Sequence, residues 1–300
     1  MKNHRFLNEY LRETFGCKVY KLALESGCTC PNRDGTVGVG GCIFCSEGGS
    51  GDFAESLAGD LSDGEFDAAM ERARAKVASK NPSGKYIAYF QSYTNTYGDT
   101  GRLLSLYKRV LLREDIVALS IGTRPDCMGP GVLSMLRELQ TIKPVWVELG
   151  LQTVHERTAR LINRGYELPV FEEAYRSLKE IGVTVVAHVI LGLPGESLDD
   201  MRATVRYLAN LSPRLDGIKL QLLHVLKGTA LGNLYLEKGT TGGYEFDLDS
   251  YVSFIDELVS LLPRETVLHR LTGDGPKRDL LYPLWTGDKK RVLNAINKIK

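Results

Sequence analysis

A chain of 300 residues with a net charge of +1, 43% hydrophobic and 25% charged, has the balance of a globular protein with a sizeable core. It contains no run of 18 apolar residues, which excludes a membrane-spanning helix of usual length. The amphipathic start MKNHRFLNEYLRETFG lacks the apolar centre of a secretion signal, so a reducing cytoplasm is the expected location and the six cysteines are expected to be free thiols or metal ligands.

Phe6, Leu7, Tyr10, Leu11 and Phe15 share one helical face over 4–15, and Gly16 can cap it. CKVYKLALES (17–26) reads as a strand that Cys17 opens from a buried position. The loop TCPNRDGTVGVGGCIFC follows, with Cys30, Cys42 and Cys45 spaced among glycines that let backbone wrap a bulky object. From residue 64 a regular alternation sets in. Helices at 64–79, 101–113, 129–140, 155–163 with 168–181, and 197–210 precede apolar strands at 85–92, 115–125, 144–153, 183–194 and 216–226. Six β-branched, nearly continuous apolar strands separated by helices imply a parallel sheet with right-handed crossovers, covered on both faces. The expected fold class is α/β, a partial (β/α)6 TIM-like barrel over 1–226. Residues 227–300 are expected to be a C-terminal extension with helices at 250–262 and 288–299 and one strand at 266–274. Residues 277–300 hold seven Lys/Arg against two Asp, a local +5 that leaves −4 elsewhere; such a tail is either a solvated helix or an RNA contact.

Three thiolates are one short of a closed tetrahedral set, and a 4Fe–4S cube held by three cysteines keeps one iron open to a small molecule. A second arrangement adds Cys28 to make four thiolate ligands for zinc. Polar residues gather at the C-terminal ends of the strands: Gln91, Ser92, Tyr93, Thr94 and Asn95, then Arg124 and Cys127, then Glu148 and Gln152, then His188, Gln221 and His224. Parallel α/β barrels open their active sites at that end. Cys127 can donate a hydrogen atom, join substrate chemistry or simply pack. Arg124, Arg164 and Lys219 are candidates for an anionic substrate group or for surface solvation. His188 and His224 can move protons or sit satisfied in the core. Tyr93 and Tyr97 can stack on a ring or pack.

TCPNRDG…GGCIFC, YFQSYTNTYG, IGTRPDC, VELGLQT, HVILGLPGE and HRLTGDGP together resemble the radical S-adenosylmethionine (SAM) superfamily. More narrowly, they resemble its YtqA-like bacterial group, related to the Elongator catalytic subunit and to the coproporphyrinogen dehydrogenase type. The spacing C-x11-C-x2-C departs from the commonest C-x3-C-x2-C and matches this narrower group. The resemblance implies that Cys30, Cys42 and Cys45 hold a 4Fe–4S cluster whose fourth iron binds SAM, and that Phe44 shields the cluster or touches adenine. It implies the SAM amino end at Gln91–Asn95, its ribose or carboxylate at Glu148 and Gln152, and adenine at Ile190, Gly192 and Glu196. A reductant such as flavodoxin or ferredoxin is the implied electron source. The implied reaction is on tRNA, converting a carboxymethylaminomethyl wobble uridine towards aminomethyluridine. Two other readings remain: a radical enzyme acting on a small molecule or a protein side chain, and a zinc-stabilised RNA-binding protein without catalysis.

Overall fold

The computed structural model describes residues 4–298 apart from 50, 52, 82 and 274. In chain order the elements are α1 (Leu7–Phe15), β1 (Val19–Glu25), β2 (Glu55–Ser56), α2 (Asp63–Ala75), β3 (Lys85–Phe90), α3 (Thr100–Leu111), β4 (Ile116–Thr123), α4 (Pro130–Gln140), β5 (Val145–Gln152) and α5 (Glu156–Leu161). They continue as α6 (Leu168–Glu180), β6 (Thr184–Leu191), α7 (Leu198–Ala209), β7 (Gly217–Leu222), β8 (Val225–Leu226), α8 (Ala230–Lys238), α9 (Leu248–Ser260), β9 (Val267–Arg270), β10 (Leu280–Tyr282) and α10 (Lys289–Asn297). One parallel sheet runs in the order β2-β1-β3-β4-β5-β6-β7-β9. Among the described residues no helix is long and apolar enough to cross a membrane.

The sheet is an open half-barrel, and side chains crossing its hollow show the curl. Lys21 on β1 meets Glu148 on β5, and Lys219 on β7 lies 3.1 Å from the Tyr89 hydroxyl on β3. In a flat sheet those strand pairs would be about 14 and 19 Å apart. Strand alternation then separates two environments. On β5, Val145, Val147, Leu149 and Leu151 face outwards into the main core with the helices, and Trp146, Glu148, Gly150 and Gln152 face the hollow. Helix faces complete the outer layer; on α3 the buried residues Leu103, Tyr107, Val110 and Leu111 recur at helical spacing. The narrow end of the hollow is plugged by Val19, Ile87, Ala118 and Trp146, with Leu11 of α1 beneath them.

The expected α/β half-barrel is present, with differences in detail. The run at 216–226 is two strands. After Leu222 the chain leaves the sheet, and Val225–Leu226 pairs antiparallel with β10 instead. The sheet has eight strands because β2 and β9 join its edges. The helix expected to reach residue 79 ends at Ala75. Helix α8 went unread because ALGNLYLEK carries a glycine and an asparagine in its interior and has little facial segregation.

Candidate active site

The cysteine loop leaves β1 and folds over the wide end of the hollow. Its backbone is held from several sides. Arg33 donates to the carbonyls of Cys45 (3.2 Å), Ser46 (2.5 Å) and Glu47 (3.3 Å), and its guanidinium lies 5.4 Å from the Tyr93 ring centre. The Tyr93 hydroxyl donates to the Glu47 carbonyl at 2.5 Å. Gly49 must be glycine here: its φ is +60°, and a Cβ would lie 2.5 Å from the Tyr93 ring. From the turn after α5, Asn163 donates to the Gly41 carbonyl at 2.8 Å, and the Ile43 amide donates to Ile162 at 3.1 Å. Asn32 Nδ2 reaches the Cys42 sulfur at 3.8 Å.

Cys30, Cys42 and Cys45 line one cavity together with Phe44, Gln91, Tyr93, Thr94, Glu148, Gln152, His188, Ile190 and His224. Phe44 also packs against the small apolar cluster of Leu193, Leu223, Val225 and Leu231. Two polar atoms of this wall, Thr94 Oγ1 and Gln152 Oε1, are buried without a partner, as is Ser92 Oγ close by. Buried polar atoms are nearly always paired, so orphans facing one cavity suit a polar ligand. The thiols also suit a cationic centre. Burial and the neighbouring Cys45 and Cys30 push the Cys42 thiol up to about 12, so its thiolate needs a strong positive partner. The residues present therefore fit an iron–sulfur cluster with a polar small molecule beside it.

They do not form the four-thiolate zinc site. Cys28 is buried 3.6 Å from Arg102 Nη2 and faces a separate cleft, shared with Thr36, Tyr97, Asp126 and Cys127. Among the described residues no three His, Cys, Asp or Glu side chains gather tightly enough for a single metal ion. A cube, which spreads its ligands over three irons, does not need them to.

Several residues expected at the site sit elsewhere. Asn95 accepts from Ser26 Oγ (2.7 Å) and donates to the Ser92 and Gly122 carbonyls (3.0 Å each), bracing β1 to β4. Gly192, at φ +81°, packs under the Tyr244 carbonyl. Glu196 is buried and accepts from Thr153 Oγ1 at 2.5 Å. Cys127 lies against Asp126 in the second cleft, with burial pushing its thiol up to about 12. Tyr97 hydrogen-bonds Thr36 at 2.8 Å and closes the cysteine loop.

The expected cations are already engaged. Arg124 grips Asp126 through two bonds (2.9 and 2.6 Å) and the Arg164 carbonyl at 2.9 Å. Arg164, 1% exposed, donates to the carbonyls of Leu151, Thr153 and Tyr166. Lys219 pairs with Glu148, which also meets Lys21, His188 Nε2 (2.8 Å) and Ser120 Oγ (2.9 Å). The two lysine ammoniums and the His188 hydrogen bond hold the buried Glu148 carboxyl well below the usual carboxylate range. Sequence reasoning passed over Lys21, Arg33, Tyr89 and Arg270. A lone lysine at an inward position of an otherwise apolar strand was the available signal for Lys21.

His188 is pushed down to about 4 by burial and by the charge of Lys219, against 6.5 for a free imidazole. The fold therefore holds it neutral. Its contribution to stability is complete above about pH 6.5 and is lost as pH falls towards 4, at roughly 1.4 kcal/mol per unit. Urea midpoints followed between pH 7 and 4 should fall more steeply for the wild type than for His188→Asn; equal slopes would remove His188 as the cause.

Residues 28–208 match the radical SAM superfamily, and residues 215–299 match the radical SAM C-terminal domain. The chain belongs to the radical SAM superfamily. Members use a 4Fe–4S cluster and S-adenosylmethionine, the two groups that the cavity fits. The uncharacterized protein YtqA of Bacillus subtilis is 45% identical over 99% of this chain and 89% of its own length. Elongator complex protein 3 of Dictyostelium discoideum is 32% identical over 57% of this chain and 29% of its own length. Among solved structures, an N-terminally truncated archaeal Elp3 from Methanocaldococcus infernus superposes with a TM-score of 0.61 at 20% identity, covering 78% of this chain and 58% of that one. That likeness is one of fold.

Proposed function

We propose that this radical SAM enzyme acts on the wobble uridine of tRNA, converting a carboxymethylaminomethyl side chain towards aminomethyl. What carries the reading is the sequence similarity to Elongator complex protein 3, which spans more than half of the chain. The basic C-terminal segment supports it. Lys277, Arg278, Lys290 and Arg291 are exposed, and Lys289, Lys290 and Arg291 occupy the first turn of α10. The helix dipole disfavours cations there, whereas phosphates along an RNA backbone would favour them. In this reading residues 1–226 are the radical core and 227–300 an extension that carries RNA contacts.

When cluster and SAM are bound, the chemistry they supply is hydrogen-atom abstraction by a 5′-deoxyadenosyl radical. The chain's own residues do the rest. Cys30, Cys42 and Cys45 hold the cluster. Thr94, Gln152 and the neighbouring Gln91 offer oxygens to the ammonium and hydroxyl groups of SAM. Phe44 and Ile190 shield the wall from water. The carbon between the substrate's amine and carboxylate yields a stabilised radical, which suits abstraction better than acid–base removal. Flavodoxin or ferredoxin is the proposed reductant.

The test is anaerobic reconstitution with SAM, a reductant and total tRNA from a strain lacking the gene. The expected result is RNA-dependent 5′-deoxyadenosine with loss of carboxymethylaminomethyluridine from the digested tRNA. SAM cleavage that ignores RNA, together with an unchanged nucleoside profile, would overturn the tRNA assignment and leave a small-molecule or protein substrate.

A further inference from the structure

We propose that Phe53 is the residue on which the substrate's uracil ring stacks as its side chain enters the cavity. The inference deepens the tRNA reading and rests on it for the choice of a pyrimidine over other flat rings.

The Phe and Tyr rings that line the cavity are Phe44, Phe53, Tyr89, Tyr93 and Tyr166. Four of them are engaged within the protein. Tyr89 has the side-chain nitrogens of Lys21 and Lys219 over its ring at 4.4 and 4.6 Å. Tyr166 has the guanidinium groups of Arg124 and Arg164 over its ring at 4.9 and 4.5 Å. Tyr93 lies between Arg33 and the backbone of Gly49. Phe44 packs into the apolar cluster of Leu193, Leu223, Val225 and Leu231. Phe53 differs. It is 58% exposed, and of the large apolar side chains exposed among the described residues it alone lines this cavity. An aromatic face left in water beside a ligand cavity is a platform for another flat ring, and every base has a face to lay on it.

The backbone holds this platform in place. The Phe53 carbonyl accepts from Lys76 Nζ at 3.2 Å, and Lys76, at the end of α2, also pairs with Glu55 at 3.0 Å. Glu55 opens β2, in register with Leu24 of β1. A main chain tied at both points leaves less to be ordered when a ligand arrives.

Position separates this ring from one that covers SAM. Phe44 and Ile190, which shield the proposed SAM wall, share one cluster on the β6–β7 side. Phe53 belongs to the β2 edge, where the sheet begins. Stacking uses the face of a base and leaves an in-plane substituent free to reach inwards.

The test uses protein carrying its cluster, with SAM saturating and free carboxymethylaminomethyluridine as the probe. Saturation-transfer NMR reads the ring proton of the nucleoside and its Kd. The expected result is transfer to that proton, with Kd raised about fivefold or more in Phe53→Ala and in Phe53→Leu and kept within about twofold in Phe53→Tyr. The SAM affinity stays unchanged in all of them. Phe53 is exposed, so these variants leave the core intact. No binding to the wild type, or undiminished binding to Phe53→Ala, overturns the stack. Full rescue by Phe53→Leu, which restores apolar cover without a flat face, also overturns it. So does a matching loss of SAM affinity in Phe53→Ala, because the ring then covers SAM. A parallel arm measures 5′-deoxyadenosine formation with an anticodon stem-loop bearing the same nucleoside. Failure there defeats the tRNA reading, and the nucleoside titration still decides the stack by itself.

Discussion

Replacing Cys42 with alanine is expected to abolish the iron–sulfur absorbance of the anaerobically reconstituted protein and, with it, all SAM cleavage. Burial pushes the Cys42 thiol up, its sulfur is met by Asn32, and Asn163 fixes the adjacent Gly41 carbonyl. Its loss removes one of three anchors from a loop that has no further cysteine to substitute. Cys28 cannot move in, because it faces the other cleft beside Arg102. Cys30→Ala and Cys45→Ala should behave alike, whereas Cys28→Ala should keep its colour. Iron and sulfide per chain, read with the absorbance spectrum, check this. A Cys42→Ala protein with full iron content and SAM cleavage would refute the assignment of the cluster.

Glu148→Gln is expected to destabilise the fold by about 3–5 kcal/mol, the usual cost of removing one partner from a buried ion cluster. The amide keeps the shape but leaves Lys21 and Lys219 in the hollow without their counter-charge. Lys219 can shed part of the cost by losing its proton, since burial already pushes its ammonium well down. The decisive comparison is the double variant Glu148→Gln/Lys219→Met, which removes the repelling charge as well. Its urea midpoint should recover at least half of the loss, a coupling that strict additivity would disprove. Like-charge relief of this kind separates an electrostatic role for Glu148 from simple packing.

Much of the half-barrel was legible because its signals are local. Strands such as VTVVAHVIL carry continuous apolar runs, and helices such as α3 show a clear 3.6-residue stripe. The cysteine triplet was legible for the same reason: its spacing lies within one loop. The short edge strands β2 and β10, of two and three residues, carry no pattern of their own. They exist because a neighbour offers them a hydrogen-bonding edge. The break after Leu222 is of the same type, since the composition of GIKLQLLHVL is strand-like throughout.

The site divides along similar lines. Which residues can ligate iron, and that the polar strand ends open onto one face, followed from chemistry and the β/α alternation. How the arginines are engaged did not. Arg124 and Arg164 are indistinguishable as letters, and only packing commits them to Asp126 and to backbone carbonyls. The same holds for the charged floor. Lys21, Glu148 and Lys219 are separated by 127 and 71 residues in the chain, and it is the curl of the sheet that makes them neighbours. Residue type and short-range spacing thus determined the repeating unit, and the motifs that resemble the radical SAM superfamily determined the cofactor chemistry. Curvature, which arises from the summed twist of many strands, decided the charges that meet inside.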